Sequence, residues 1–128
     1  MEEYIMTIDE GTTSARAVLF NKDSEIIAMC SKEFAQYYPQ PGWVEQDPKE
    51  IWLTTKEVIN KVVADSGIDP KQIKAAGITN QRETVVVYDK NTGEPVYNAI
   101  GWADRRTAPY CDELKAAGKE QMFIDKTG

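Results

Sequence analysis

Tyr4-Ile5-Met6-Thr7-Ile8-Asp9-Glu10-Gly11-Thr12-Thr13-Ser14-Ala15-Arg16-Ala17-Val18-Leu19-Phe20 is the stretch whose reading decides the fold. An apolar run from Tyr4 to Ile8 ends at Asp9, Glu10 to Ser14 supplies turn chemistry, and a second apolar run spans Ala15 to Phe20, so two strands joined by a tight turn are predicted. Asn21-Lys22-Asp23-Ser24 is a further turn cluster, after which Ile26 to Phe34 continues as a third, antiparallel strand. The chain opens as a meander.

Beyond the loop Tyr37-Tyr38-Pro39-Gln40-Pro41-Gly42-Trp43, Asp47-Pro48-Lys49-Glu50 combines an N-cap, a proline at the first helical position and a capping-box glutamate. Ile51, Trp52, Val58, Ile59, Val62 and Val63 then recur at helical spacing, and Ser66-Gly67 stops the helix. After a turn at Asp69-Pro70, Ile73 to Thr79 reads as a strand. Thr84 to Tyr88 and Val96 to Ile100 read as a hairpin about the turn Asp89 to Gly93, followed by a helix from Arg106 to Ala117 closed by Gly118 and a short one over Lys119 to Asp125. Three strands, a helix, a strand, a hairpin and helices imply an α/β domain with a mixed sheet and flanking helices.

At 128 residues the chain suits one globular domain, and 41% hydrophobic residues are enough for a buried core. It holds no histidine, which excludes a Ser-His-Asp triad, a Cys-His pair and a His-bearing zinc site within it. With 15 Lys+Arg against 21 Asp+Glu and no basic run, it lacks the electrostatic footprint of a nucleic-acid binder. Cys30 and Cys111 match no metal or redox spacing and read as reduced thiols. Neither a secretory signal nor a membrane-spanning run is visible, so a cytoplasmic location without membrane attachment is expected.

Three polar strings can carry chemistry. In Asp9-Glu10-Gly11-Thr12-Thr13-Ser14, with Arg16 beyond, a carboxylate at a strand end suits Mg²⁺, while glycine, hydroxyls and backbone N–H groups suit a phosphate; the same residues equally serve a plain hairpin turn. No Walker A pattern is present. In Thr79-Asn80-Gln81-Arg82-Glu83-Thr84, Arg82 offers a donor fork and Glu83 an acceptor pair for vicinal hydroxyls of a small polyol, or the two form a local ion pair on an exposed turn. In Gly101-Trp102-Ala103-Asp104-Arg105-Arg106-Thr107, Trp102 can wall a pocket with Asp104 or Arg105 at its rim, or be a core residue beside a helix N-cap.

Together, Asp9-x-Gly11-Thr12-Thr13-Ser14-x-Arg16, Tyr38-Pro39-Gln40-Pro41-Gly42-Trp43-Val44-Glu45-x-Asp47-Pro48, Gly77-Ile78-Thr79-Asn80-Gln81-Arg82-Glu83-Thr84 and Tyr97-Asn98-Ala99-Ile100-x-Trp102 resemble the N-terminal part of the FGGY carbohydrate kinases, within them the glycerol kinase branch. The resemblance covers essentially the whole chain and implies a ribonuclease-H-like, actin-like ATPase fold, with residues 1–128 forming most of the first half of the first of two domains. It implies that Thr12, Thr13, Ser14 and Arg16 contact the phosphates of ATP or ADP and that Asp9 is the Mg²⁺-associated carboxylate. It further implies that Arg82 and Glu83 bind glycerol hydroxyls, with Trp102 packed on the carbon chain. The reaction implied is transfer of the ATP γ-phosphoryl group to a terminal hydroxyl, giving sn-glycerol 3-phosphate.

Gly101 and Ala103 stand where that branch usually carries Val or Ile and Gln, which leaves another polyol or a sugar open as substrate. The family's proton-accepting aspartate would lie beyond Gly128, so no catalytic base is expected within this chain, and the 128 residues alone are expected to be inactive. The abrupt end is expected to mark a domain boundary or a cut within a longer protein, exposing apolar surface that favours a homo-oligomer or strand exchange. A non-catalytic module that binds nucleotide or a partner chain is the alternative of a different class.

Overall fold

A computed structural model describes all residues from Met1 to Gly128. Strands β1 (Tyr4–Glu10), β2 (Ser14–Phe20) and β3 (Ile26–Glu33) form the expected antiparallel meander, with Asp9 opposite Arg16 and Ala17 opposite Cys30. The two-residue strand β4 (Glu45–Gln46) precedes helix α1 (Pro48–Ser66), and β5 (Ile73–Thr79) pairs parallel with β1, completing the order β3-β2-β1-β5. Because β3 and β5 run the same way, α1 carries the chain from one sheet edge to the other, the long connection that parallel strands require.

Alternation decides what α1 covers. Met6 and Ile8 of β1, with Ala15, Ala17 and Leu19 of β2, point to one face and close over Val58 and Val62 of α1, all buried. Full burial of each valine is worth about 1.5–3 kcal/mol. The remaining turns of α1 contribute Thr54 and Thr55 to the buried face, whereas Trp52, expected there, is 59% exposed because its position rotates toward solvent.

The helix start is correct in place and different in detail. The Asp47 side chain accepts from the Lys49 N–H (2.8 Å), but Glu50 does not close a capping box; it reaches the loop instead, accepting from the Ala35 N–H (2.8 Å) and the Tyr37 hydroxyl (3.0 Å). The reciprocal box forms at the 3₁₀ turn Pro70–Gln72, between Asp69 and Gln72.

The expected hairpin is only partly a ladder. Val85 bridges Ile100 and Tyr88 bridges Pro95 around the Asp89 turn, yet neither Thr84–Tyr88 nor Val96–Ile100 is a continuous strand; only β6 (Ala99–Ile100) is, and it pairs with β4. Pro95 lacks an N–H, and Val85 to Tyr88 are exposed with no second layer to hold them flat. Helix α2 (Ala108–Ala116) starts two residues later than expected, since Arg106 is held outside it by Asp104, and α3 (Glu120–Thr127) follows Gly118, whose φ of +72° makes the turn.

Candidate active site

Asp9 and Thr79 are register partners near the carboxyl ends of the parallel pair β1 and β5, so the residues that follow each strand leave the sheet side by side. Between them opens a cleft of about 490 Å³, lined by Asp9, Glu10, Gly11, Thr12, the Thr79–Glu83 string and Trp102. Two of the three polar strings thus converge directly, and the third contributes its tryptophan through a bond from the indole Nε1 to Thr12 Oγ1 (3.1 Å).

The turn is built by Gly11. Its N–H donates to the Ser14 carbonyl (2.9 Å), and a Cβ there would stand 2.9 Å from that oxygen, closer than atoms pack. Neither Thr12 nor Thr13 donates its backbone N–H within the chain, leaving two donors for an anion. Thr13 is exposed, Ser14 begins β2, and Arg16 projects from β2 opposite Asp9; these three border the cleft from outside its lining.

The charged groups are unspent. None of the six ion pairs uses Asp9, Arg16, Arg82 or Glu83, so the local Arg82–Glu83 pair does not form and all four charges face solvent. Glu83 has φ +60°, a conformation costly for a residue with a Cβ and most often retained where function over-determines it. Glu10 turns the other way, toward α1: Oε1 accepts from the Thr55 hydroxyl (2.7 Å), while Oε2 is buried without a partner.

Asp104 and Arg105 are not at the rim of this cleft. Asp104 is buried, accepting from the Val44 N–H (2.7 Å) and from Arg106 at Nε (2.9 Å) and a terminal guanidinium nitrogen (2.8 Å), which holds its carboxyl down at about 2 against the cost of burial. Arg106 also donates to Glu45 Oε1 (2.9 Å) and stacks on Trp43 at 3.8 Å. The Tyr97 hydroxyl (2.6 Å), with Arg106 and Asn98, keeps the buried Glu45 ionised below its ordinary range. Arg105 meanwhile donates its backbone N–H to the Gly42 carbonyl (2.7 Å). This network bolts the 37–46 loop to the 97–106 segment and sets where Trp102 stands.

Sequence reading gave no separate role to Gln46, fully buried behind the turn, to Glu10, half-buried with its Oε2 enclosed and unpartnered, or to Gln81. The one signal was a glutamine inside an otherwise apolar-to-helix transition at Glu45-Gln46-Asp47, which points to a satisfied buried amide.

A polar cleft at the carboxyl ends of adjacent parallel strands, with unpaired acid, guanidinium and hydroxyl groups, defines an α/β ligand-binding domain. A model of the N-terminal domain of the FGGY family of carbohydrate kinases matches residues 4–128. The chain belongs to that family. It is 56% identical over 127 residues to a glycerol kinase of Chromobacterium violaceum, covering 99% of this chain and 25% of that protein. Over 128 residues it is 56% identical to a glycerol kinase of Geobacillus kaustophilus, covering all of this chain and 26% of that one. Among solved structures, a gluconate kinase from Lactobacillus acidophilus matches with a TM-score of 0.87 at 26% identity, over 97% of this chain and 25% of the other. A Plasmodium falciparum glycerol kinase with ADP matches with a TM-score of 0.80 at 32% identity, over 90% and 23%. The fold is therefore that of a sugar kinase, a partial domain of the actin-like ATPase class. The chain spans about a quarter of the length of the curated relatives it matches. No helix is long and apolar enough to cross a membrane.

Proposed function

We propose that residues 1–128 are the N-terminal part of the first domain of an ATP-dependent kinase that phosphorylates glycerol to sn-glycerol 3-phosphate. The observation that carries this is the convergence of Asp9, Thr12, Arg82, Glu83 and Trp102, charges unpaired, on one cleft. Relatives named glycerol kinase, matched over the whole chain, favour glycerol among the family's substrates.

The chain's own groups divide the work. Thr12 Oγ1 accepts the Trp102 indole N–H, which leaves the hydroxyl proton free to donate to a phosphate oxygen beside the unspent N–H groups of Thr12 and Thr13. Ser14 and Arg16 extend this edge, Arg16 with a charge that complements phosphate. Arg82 donates to alcohol oxygens, Glu83 accepts alcohol protons, and the face of Trp102 covers the carbon chain, an arrangement that selects a vicinal diol. At the phosphate end of the cleft one unpaired carboxylate, outside any cluster of three or more acidic, Cys or His groups, fits a Mg²⁺ ion that arrives with the nucleotide and takes its other ligands from phosphate and water; Asp9 is the residue that would hold it. When bound, that ion neutralises phosphate charge. The base that accepts the hydroxyl proton belongs outside these residues, so the contribution made here is positioning and charge complementarity.

The test is ATP-dependent phosphorylation by the full-length protein across glycerol, other polyols and sugars, with the 128-residue chain beside it. Glycerol-selective turnover in the long form and none in the short one is expected. Selective turnover of a different alcohol would move the reading to another kinase of the family, a possibility the gluconate kinase match and the Gly101-Trp102-Ala103 string keep open. Absence of turnover in the long form would leave a nucleotide-binding or interaction module.

A further inference from the structure

We propose that Gln46 is a positioning residue that ties the phosphate turn to the alcohol-binding string through one buried amide. This rests on the kinase reading above and adds a residue to it.

Gln46 is fully buried in β4, so its two donor protons and its oxygen must find partners inside the protein. Nε2 donates to the Thr12 carbonyl (2.7 Å) and to Gln36 Oε1 (2.9 Å), and Oε1 accepts from Gln81 Nε2 (3.0 Å). On the turn side, Gln36 Nε2 adds a second bond to the Thr12 carbonyl (3.1 Å). All peptides here are trans, so the Thr12 carbonyl and the Thr13 N–H point in opposite directions from one rigid plane. Drawing the carbonyl inward onto Gln46 therefore turns the Thr13 N–H outward, where it has no acceptor in the chain and is free for an anion.

On the alcohol side, Gln81 Nε2 also donates to Thr84 Oγ1 (2.7 Å), so Arg82 and Glu83 are carried on a loop pinned at both ends. Glu83 at φ +60° is a conformation that persists only when its flanks are fixed, and the Gln46–Gln81 bond fixes one of them. A single side chain thereby sets the donor direction of the turn and the backbone of the string.

The two halves can be cut separately in the full-length protein. Gln46→Glu keeps the shape and the acceptor facing Gln81 but puts an oxygen against the Thr12 carbonyl; Gln81→Met leaves the turn side intact and removes the other link together with the Gln81–Thr84 bond; Gln46→Met removes both links of Gln46. Steady-state kinetics should show the ATP KM raised about fivefold or more in Q46E with the glycerol KM nearly unmoved, the reverse in Q81M, and both raised in Q46M. The Q46M/Q81M double variant should have a glycerol KM no worse than Q81M alone, because Q81M has already removed the bond that Gln46 makes to the alcohol side. A role confined to stability would lower the melting temperature and leave both KM values in place, and that result overturns the proposal. If Q46M does not fold, Q46E and Q81M decide, and an unchanged KM at the expected end in either one overturns it. A wild-type protein that phosphorylates no glycerol defeats the kinase reading instead. Calorimetry with ADP on wild type and Q46E then reads the turn alone: weaker binding by Q46E supports the proposal, and equal binding by both, or no binding by either, overturns it.

Discussion

Glu83 carries its carboxylate on a left-handed backbone, φ +60°, which for a residue with a Cβ costs about 1–2 kcal/mol. Glu83→Gly should relieve that strain, raising unfolding free energy by about 1 kcal/mol, while the full-length enzyme loses alcohol affinity. Urea unfolding and the glycerol KM read the two effects, and a variant that loses stability as well would show that the strain is not there. Gly11→Ala has the opposite character: its Cβ would meet the Ser14 carbonyl at 2.9 Å, so the turn must open and ADP affinity should fall about tenfold or more, measured by calorimetry on the full-length protein. The strings that hold Asp9, Thr12, Arg82, Glu83 and Trp102 stood out in the sequence at predicted turns and strand ends, but each also fitted a plain structural role, and it was the family resemblance that gathered them into one site. Gln46 was not, since a buried amide is defined by partners 10 to 35 residues away, which no local pattern encodes.

Among the elements, α1 was read almost to the residue, because capping and helical periodicity act within a few positions. Asp47→Ala should cost about 1 kcal/mol in thermal or urea unfolding, the value of one lost N-cap bond. The hairpin reading was weaker: β propensity in Thr84 to Tyr88 is real, but a ladder needs a partner and a covering layer, and here only Val85 and Tyr88 bridge. The β4–β6 ribbon depends on the Glu45, Asp104 and Arg106 cluster. Asp104 titrates at about 2 in the folded protein against an ordinary 3.8. A depressed carboxyl contributes stability that is complete above the ordinary value and is lost as pH falls from near 4 toward 2. Unfolding free energies measured from pH 7 to pH 2 should decline through that window, and Asp104→Asn should lower stability at pH 7 while flattening the decline. An unaltered slope in the variant would assign acid sensitivity elsewhere.

For the whole molecule, the sheet face opposite α1 leaves apolar side chains in solvent: Ile5 is 51% and Met29 58% exposed. Left uncovered, this face should make the 128-residue chain self-associate, and Met29→Lys should weaken the association; a clean monomer in sedimentation over a wide concentration range would contradict this. The same scale separates what each level of description determined. The opening meander, the start and stop of α1, the glycine turn and the exclusion of histidine chemistry followed from the sequence alone, because each depends on composition or on neighbours within a turn or a strand. The parallel β1–β5 pairing, which sets Asp9 beside Thr79, was decided only in three dimensions. So were the burial of Asp104 that removed it from the site and the glutamine relay behind Thr12, since all of these join segments tens of residues apart whose encounter is governed by packing of the whole sheet.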